Sequence, residues 1–215
     1  MKLNLSADEV LTSTRAVRKR LDLDRPVERE VIEECLQIAL QAPTGSNSQG
    51  WQWVMVTDAD KKKALADIYK ANFAEYAKVA TSNTYEEGDL RHDQRDRVTE
   101  SAVYLTENFH RVPVIMVPCI TGKLDRAPTM QAASAWGSLL PAVWSFMLAA
   151  RERGLGTAWT TIHLMFDGDK KANEILGIPD SVTQAGMFPI AYTIGTDFQP
   201  AKRLPLEPIL HWNQW

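Results

Sequence analysis

The chain has 215 residues, of which 45% are hydrophobic, and its 24 basic and 27 acidic residues give a net charge of −3 at pH 7. This size suits one α/β-type domain with a sizeable core, and the balanced charge argues against nucleic acid as a partner, because phosphate-backbone binding needs a basic surplus. The clean apolar runs are too short to span a bilayer, residues 1–12 lack a secretion signal and the two cysteines are too few for a disulfide framework, so we expect a cytoplasmic protein with one domain, 1–215, and no membrane partner.

The hydrophobic periodicity predicts helices and strands without strict alternation, which is typical of an α+β fold. The predicted helices, in chain order, span about residues 7–12, 28–41, 58–73, 96–109, 132–153 and 169–176. The predicted strands span about residues 53–57, 114–119, 157–160 and 187–195. We expect Ser6 and Asp58 to cap the helices that follow them, and Gly177 to end the last helix.

Two stretches lack such a pattern. Residues 74–95 are polar and irregular, and we interpret them as a possible lid or exposed excursion. The tail, residues 196–215, is extended and rich in proline, and it contains Trp212 and Trp215 without a local partner. We therefore expect this tail to pack on another surface, such as a partner subunit.

Several familiar catalytic motifs are absent from the sequence. It contains no P-loop and no nucleophile elbow, and Gly154-Leu155-Gly156 begins a dinucleotide fingerprint that fails at Trp159. The four histidines lack metal-ligand spacing, so we expect structural or surface roles for them. His163 is of most interest, because it lies close to Trp159. We predict no catalytic side chain and no metal site.

Three polar segments could share one anionic ligand. Arg15 and Arg18 lie three residues apart, and guanidinium groups bind phosphate through paired, charge-assisted hydrogen bonds. The loop at 42–51 offers backbone N–H groups and hydroxyls to an anion, and Lys202 and Arg203 lie between prolines that favour an extended path. Each segment also has an ordinary interpretation, as a solvated basic face, a helix-to-strand loop or a solvated tail.

The order of these segments is more specific than any one of them. The sequence reads Arg-x-Val-Arg, Pro-Val-x-x-Glu-Val-Ile, Ala-Pro-Thr-Gly-x-Asn-x-Gln-x-Trp, Gly-Leu-Gly-Thr-Ala-Trp-Thr and Lys-Arg-Leu-Pro-Leu-Glu. From about residue 10 to Trp215 this resembles the nitroreductase-like FMN flavoproteins. The resemblance implies a central, mostly antiparallel sheet flanked by helices, and an intertwined homodimer with FMN sites at the subunit interface.

The resemblance also implies which residues bind the cofactor. These are Thr14, Arg15, Ala16, Arg18, Pro43, Thr44, Gly45, Asn47, Gln131, Trp159, Thr160, Thr161, Lys202 and Arg203. By similarity, Arg15 and Arg203, the latter with Lys202, would hold the phosphate, while Arg18 would lie nearer the ribityl or pyrimidine side.

The remaining positions divide between the two subunits of the implied dimer. The loop residues 43–47 and Gln131 would reach the flavin from the partner, and residues 159–161 would lie along the isoalloxazine ring. Ala16 replaces a usual serine. Thr161 and Ile162 replace residues that are often glutamate and glycine in the family, which affects the expected substrate preference.

The implied activity is a ping-pong cycle. NAD(P)H would pass a hydride to flavin N5, and a nitroaromatic, quinone or related small acceptor would then be reduced at the same site. Flavin N5, and no side chain, would carry the chemistry. The same scaffold also serves dehalogenation, flavin breakdown and dehydrogenation, and a flavin-binding protein without turnover is a further alternative.

Overall fold

The computed structural model describes residues 2–80, 85, 86 and 88–215 of the chain. Within this part the helices are α1 (Ala7–Ser13), α2 (Arg29–Ala39), α3 (Ala59–Ala80), α4 (Leu90–Asn108), α5 (Thr129–Glu152) and α6 (Gly168–Leu176). The strands are β1 (Trp51–Val56), β2 (Val114–Thr121), β3 (Leu155–Thr157), β4 (Val182–Gln184) and β5 (Phe188–Tyr192). Short 3₁₀ turns lie at Gly45–Asn47, Phe109–Arg111, Ile162–Leu164 and Glu207–Ile209.

β2 lies at the centre of an antiparallel sheet. β1 pairs along one side of it, from Trp51 opposite Ile120 to Val56 opposite Ile115. On the other side β4 pairs with the end of β2 and β5 with its beginning, and β3 pairs with β5. The strand order is therefore β1-β2-β5-β3, with β4 beside β2.

Helices cover both faces of this sheet. Alternate residues of β2 enter different cores, because successive side chains of a strand point to opposite faces. Met116 packs in the core formed with α2 and α5, whereas Ile115 packs in the core formed with α3, α4 and α6. The predicted α+β fold, a mostly antiparallel sheet flanked by helices, is confirmed.

The local signals at helix ends agree with the structure. Ser6 and Glu9 form both hydrogen bonds of a capping box at α1. The Asp58 carboxylate accepts the N–H of Lys61 at the start of α3. Gly177 ends α6 at φ 68°, a conformation that favours glycine.

The prediction that residues 74–95 are irregular is wrong at both ends of that stretch. Residues 74–80 continue α3, where Lys78 pairs with Glu75 at 2.7 Å. Residues 90–95 belong to α4, which starts early because Asp89 caps it by accepting the Arg91 N–H at 2.7 Å. The interpretation of the stretch as a lid also falls on residues 81–84 and 87, which lie outside the described part of the chain.

The strands differ from the prediction in extent. β3 begins at Leu155 and ends at Thr157, earlier than expected, and β5 is shorter than the predicted strand at 187–195. β4 has no predicted counterpart, because three residues are too few to establish a period.

α5 is long and apolar enough, by length and composition alone, to cross a membrane, although its uninterrupted apolar runs are short. One side of the helix packs on the sheet, with Leu139, Val143 and Phe146 fully buried. The apolar composition of α5 is therefore explained by its packing in the core of the domain.

Candidate functional site

A cavity of about 920 Å³ lies between α3, α4 and the segment that follows β3. Tyr69, Phe73 and Tyr76 line it from α3, and Arg18 and Trp159 line it from the sheet side. This volume is typical of small-molecule sites. The aromatic surface comes from α3 and Trp159, whereas α4 lines the cavity with charged residues such as Arg91, Asp96 and Glu100. The cavity is the candidate functional site.

Backbone pairing explains why Arg18 lies at this cavity. Ala16 forms a parallel bridge with Thr157, and the Val17 N–H donates to the Thr157 carbonyl at 2.8 Å. The basic N-terminal segment thus runs alongside β3, the strand that leads into Trp159. The two segments enter the site together, although they are far apart in the sequence.

Gly156 permits this close approach. A Cβ at this position would lie 2.7 Å from Thr193 Cγ2 and 3.0 Å from both Leu21 Cδ2 and Val17 Cβ. Any larger residue would push the N-terminal segment away from β3. The glycine between Leu155 and Thr157 therefore has a packing role that its dinucleotide-like pattern did not suggest.

The segment from Trp159 to Thr161 is held against the start of β5. The Met187 N–H donates to the Thr160 carbonyl at 2.8 Å, and the Trp159 ring packs on Phe188 with centroids 5.1 Å apart. Gly186 leaves room for them, since a Cβ there would lie 2.9 Å from the Thr160 carbonyl oxygen and 3.0 Å from Trp159 Nε1. Trp159, Thr160 and Thr161 all line the cavity.

His163 is fully buried beyond this segment and has a structural role. Its Nε2 lies 3.0 Å from Gln184 Oε1, which can only accept, so Nε2 carries the proton. Nδ1 has no hydrogen-bond partner in the described part of the chain. Burial lowers the pKa of His163 to about 4, so the ring is neutral at physiological pH. His163 is not among the residues that line the cavity.

The second predicted group is the loop 43–47 together with Gln131. The loop packs against α5, and Gln131 is part of that helix. The Gly45 N–H donates to Ser138 Oγ at 2.9 Å, and a Cβ on Gly45 would collide with the Ser134 side chain. Gln131 is exposed in the first turn of the same helix.

This loop has an unusual backbone. Ser46, Asn47 and Gln49 all have positive φ, between 47° and 53°. Such conformations are uncommon for residues other than glycine, and they cluster at ligand-binding sites. Pro43, Gly45 and Asn47 are exposed, and none of the loop residues lines the cavity of their own chain.

The third group, Lys202 and Arg203, is exposed in the tail. The nearest attachment of the tail to the body is at Arg15, whose Nη1 donates to the Gln199 carbonyl at 2.9 Å. The structure thus brings the tail towards the N-terminal basic segment. It leaves loop 43–47 and Gln131 on a separate surface of the same chain.

The charges in the basic segment are not equally available. Lys19 pairs with Glu100 at 2.7 Å and Arg20 with Asp197 at 2.6 Å. Among the residues that the structure describes, Arg15, Arg18, Lys202 and Arg203 form no ion pair. These four cations are therefore available to an anionic group. Thr14, by contrast, is buried and donates its hydroxyl to the Val10 carbonyl.

The aromatic wall of the cavity was not identified from the sequence. Tyr69, Phe73 and Tyr76 follow each other at helical spacing, which places them on one side of α3. The interpretation of residues 74–95 as irregular separated Tyr76 from the other two. The regular spacing of these three aromatic residues is the signal that could have shown that the helix continues beyond Phe73.

Comparison with known proteins gives consistent matches. A model of the nitroreductase family matches residues 11–192. An NADH dehydrogenase from Thermus thermophilus is 26% identical over 212 residues, which cover 95% of this chain and 97% of that protein.

Solved structures of similar fold include two flavoproteins. An FMN- and NADPH-dependent nitroreductase from Sphigopyxis sp. strain HMH has a TM-score of 0.69 at 22% identity, covering 98% of this chain and 100% of its own. An oxidised iodotyrosine deiodinase bound to FMN and 3-iodo-L-tyrosine has a TM-score of 0.70 at 19% identity, covering 95% and 98%. At these identities the likeness to solved structures shows the fold.

Proposed function

Since the chain belongs to the nitroreductase family, it is an oxidoreductase, and we propose that it uses FMN and NAD(P)H to reduce nitroaromatic, quinone or related small acceptors in a ping-pong cycle. The observation that carries this proposal is the cavity where the unpaired Arg18 meets Trp159 and the aromatic side of α3. Bound FMN supplies the hydride chemistry at N5. The protein supplies binding, orientation and exclusion of water.

The residues present fit an FMN phosphate. Phosphate is a dianion, and Arg15, Lys202 and Arg203 lack a carboxylate partner in the described structure, as does Arg18. We assign the phosphate to Arg15, Lys202 and Arg203, and the ribityl or pyrimidine side to Arg18, with Thr14 and Ala16 as neighbouring contacts. Each charge-assisted hydrogen bond contributes about 1.5–3 kcal/mol.

The ring of the cofactor would lie along Trp159, Thr160 and Thr161. The opposite cavity wall is aromatic, so a planar nicotinamide or acceptor can stack between the cofactor and α3. The Tyr69 hydroxyl is buried, and this burial raises its pKa, so it remains protonated at neutral pH. The aromatic side of α3 is thus an uncharged part of the cavity wall, while α4 contributes charged residues, among them Arg91 and Glu100.

We further propose that the site is completed by a second copy of the chain. Only 39% of the apolar window of α5 is buried in one chain, and Met130 and Trp144 on this helix are exposed. Trp212 and Trp215 of the tail are 78% and 100% exposed. Exposed apolar surface of this kind is typical of an interface. In the homodimer, Pro43, Thr44, Gly45, Asn47 and Gln131 would reach the flavin bound to the partner.

The test begins with the cofactor itself. The purified protein should show flavin absorbance and release FMN on denaturation, and the Arg18→Ala variant should bind FMN about ten- to a hundredfold more weakly, as the loss of one charge-assisted contact predicts. Arg29→Ala is the matched control, because Arg29 is exposed on α2 and pairs with Glu33. A colourless protein that takes up no added FMN would refute the proposal.

Turnover separates this enzyme from its alternatives. Steady-state oxidation of NAD(P)H with a nitro compound or a quinone supports the reductase. Reduction of the bound flavin by NAD(P)H only over many minutes would instead indicate a flavin-binding protein without turnover. Rapid reduction of the flavin, with dehalogenation but no reduction of nitro compounds or quinones, would indicate a dehalogenase.

A further inference from the structure

The chain after β5 is held by arginine side chains. We call residues 194–199 the tail base. Within it, each of three arginines donates to one main-chain carbonyl: Arg20 to Ile194 at 2.8 Å, Arg151 to Thr196 at 2.9 Å and Arg15 to Gln199 at 2.9 Å. Arg15 and Arg20 belong to the N-terminal basic segment and Arg151 belongs to α5, so the tail base is fixed to two parts of the body.

Two of these arginines, Arg20 and Arg151, contact the ring of Phe198. The guanidinium carbon of Arg20 lies 4.1 Å from the centroid of the Phe198 ring, and that of Arg151 lies 5.0 Å from it. Both distances are within the range of cation–π interactions. The ring is half-buried and packs against the core beside α3.

The tail base compensates the buried charge of Arg151. Only 6% of the surface of Arg151 is exposed. It has no carboxylate partner among the described residues. Its Nε donates to Ser13 Oγ at 3.2 Å, and its Nη1 has no partner in the described part of the chain. The Thr196 carbonyl and the Phe198 ring are therefore the main groups that compensate a buried cation, which is costly to leave alone.

Gly195 lets Arg20 reach this position. Gly195 has φ +74°, and a Cβ there would lie 2.6 Å from Arg20 Nη2. The turn that starts the tail base is thus shaped around the guanidinium group. Beyond the tail base, by contrast, the residues from Pro200 to Trp215 are exposed, apart from Ala201, which is half-buried.

The exposed part of the tail carries the two cations assigned to the phosphate. Lys202 and Arg203 follow Gln199 by three and four residues, and an extended chain advances at most about 3.3–3.6 Å per residue. The Cα atoms of both residues are therefore confined to within about 15 Å of the point where Arg15 holds the tail. The stretch also contains Pro200, which restricts the backbone further.

We propose that Phe198 is a positioning residue that, through Arg20 and Arg151, fixes the tail base so that Lys202 and Arg203 reach the phosphate of the cofactor. This inference rests on the proposed function, because it takes FMN as the ligand. Phe198 itself touches neither the cofactor nor the substrate. It acts by limiting the conformations from which the tail cations bind the phosphate.

The test compares FMN with riboflavin, which lacks the phosphate. Dissociation constants are measured by fluorescence quenching on the full-length, flavin-stripped protein. In Phe198→Ala, the dissociation constant of FMN should rise about tenfold, whereas that of riboflavin should stay within about twofold of the wild type. Phe198→Tyr keeps the ring and should restore FMN binding. Phe198→Leu keeps apolar volume without the ring and should behave like Phe198→Ala.

A coupling experiment links the ring to the cations. The double variant Lys202→Ala/Arg203→Ala should weaken FMN binding, and adding Phe198→Ala to it should weaken binding little further, since the positioned charges are already gone. The control variant Lys61→Ala/Lys171→Ala removes two exposed lysines from α3 and α6. It should leave both dissociation constants unchanged.

Three outcomes would overturn the inference. Equal weakening of FMN and riboflavin would mean that Phe198 supports the fold in general. Full FMN affinity in Phe198→Leu would mean that the cation–π contacts are irrelevant, and additive losses in the coupling experiment would mean that ring and cations act separately. Failure of the proposed function looks different, because the wild type would then bind neither flavin.

Discussion

At the scale of single residues, neighbouring charges in the N-terminal segment have different uses. Lys19 and Arg20 are paired with carboxylates of Glu100 and Asp197, whereas Arg18 faces the cavity without such a partner among the described residues. A basic run in a sequence gives the number of charges but not their partners. The pairing that decides which cation is available appears only in three dimensions.

Gly156 is a position where the addition of a single methyl group should lower the stability of the fold. In Gly156→Ala the new Cβ would overlap Thr193 and press on Val17 and Leu21. We expect a loss of about 1–3 kcal/mol in the free energy of unfolding, since overpacking a close contact forces the backbone to shift. Chemical denaturation measures this loss.

The matched control for this substitution is Gly137→Ala. Gly137 lies in α5, and within the described part of the chain a Cβ there would meet no atom within 4 Å beyond the backbone of its own helix. Alanine at this position should therefore be neutral or slightly stabilising in the free energy of unfolding of the subunit. Equal stability of the Gly156 and Gly137 variants would contradict the proposed packing role.

His163 should make stability depend on pH. Its pKa falls from 6.5 to about 4 on folding, because burial disfavours the charged ring. The unfolded chain therefore binds the proton more readily than the folded chain. The stability that the neutral, buried ring contributes is complete above pH 6.5 and is lost as pH falls towards 4. At about pH 5 the expected loss relative to about pH 7.5 is about 2 kcal/mol.

A variant without the titrating ring tests this prediction. Urea unfolding of His163→Gln and of the wild type between about pH 7.5 and about pH 5 should give a shallower pH dependence for the variant. Asp169 is the charged neighbour that favours protonation of the ring, and it opposes the effect of burial only in part. Identical slopes for the two proteins would show that His163 does not titrate as expected.

At the scale of elements, α3 holds the turn that follows the Trp159 segment. Asn72 Nδ2 lies 3.1 Å from the Ile162 carbonyl, 3.2 Å from that of His163 and 2.7 Å from that of Met165. One side-chain amide thus serves three acceptors of a single turn. Asn72 is itself buried, so water cannot easily replace it.

Removal of this amide should loosen the turn. We expect Asn72→Ala to lower the free energy of unfolding by about 2 kcal/mol, because buried carbonyls lose their donor. Differential scanning calorimetry can follow the corresponding fall in melting temperature. Asn108→Ala is the control, since Asn108 donates only to the Tyr104 carbonyl within α4 in the described structure, and its effect should be smaller.

The elements also show what periodicity can predict. α2, α5 and α6 were predicted nearly at their observed ends, because each has an apolar stripe or a local stop signal such as Gly177. The C-terminal part of α3 and the start of α4 were missed, since polar residues on exposed helices resemble a loop. Their helicity depends on the cap at Asp89 and on packing around the cavity.

At the scale of the whole molecule, the sequence identified three candidate binding segments, but it did not predict how they are arranged. The pairing of Ala16 with Thr157 links residues far apart in the chain, and no local pattern encodes such a contact. The separation of the loop 43–47 from the cavity is also a property of the folded chain. Both follow from the sheet order and from the packing of α5.

The proposed dimer leads to a further prediction. Trp144 is 37% exposed on α5, and Trp144→Glu should shift the protein towards the monomer, because a carboxylate would be buried without a partner in the interface. Sedimentation velocity over a range of concentrations measures the shift. FMN content should fall with it, since in the proposed dimer the partner would supply part of the site.

The control variant is Val103→Glu. Val103 has nearly the same exposure, 39%, but lies on α4. It should leave the oligomeric state unchanged. The interface is assigned to the wrong surface if Trp144→Glu remains dimeric, or if Val103→Glu dissociates instead.

The parallel bridge between Ala16 and Thr157 also has a consequence for the order of folding. The N-terminal basic segment cannot take its place until β3 has formed, and the bridge between Leu21 and Thr193 requires β5 as well. Contacts between distant parts of a chain form slowly, because long loops must close first. We therefore expect Arg15 and Arg18 to remain mobile on the ribosome until the chain up to Thr193 has emerged, so that capture of the cofactor would follow the formation of β3 and β5.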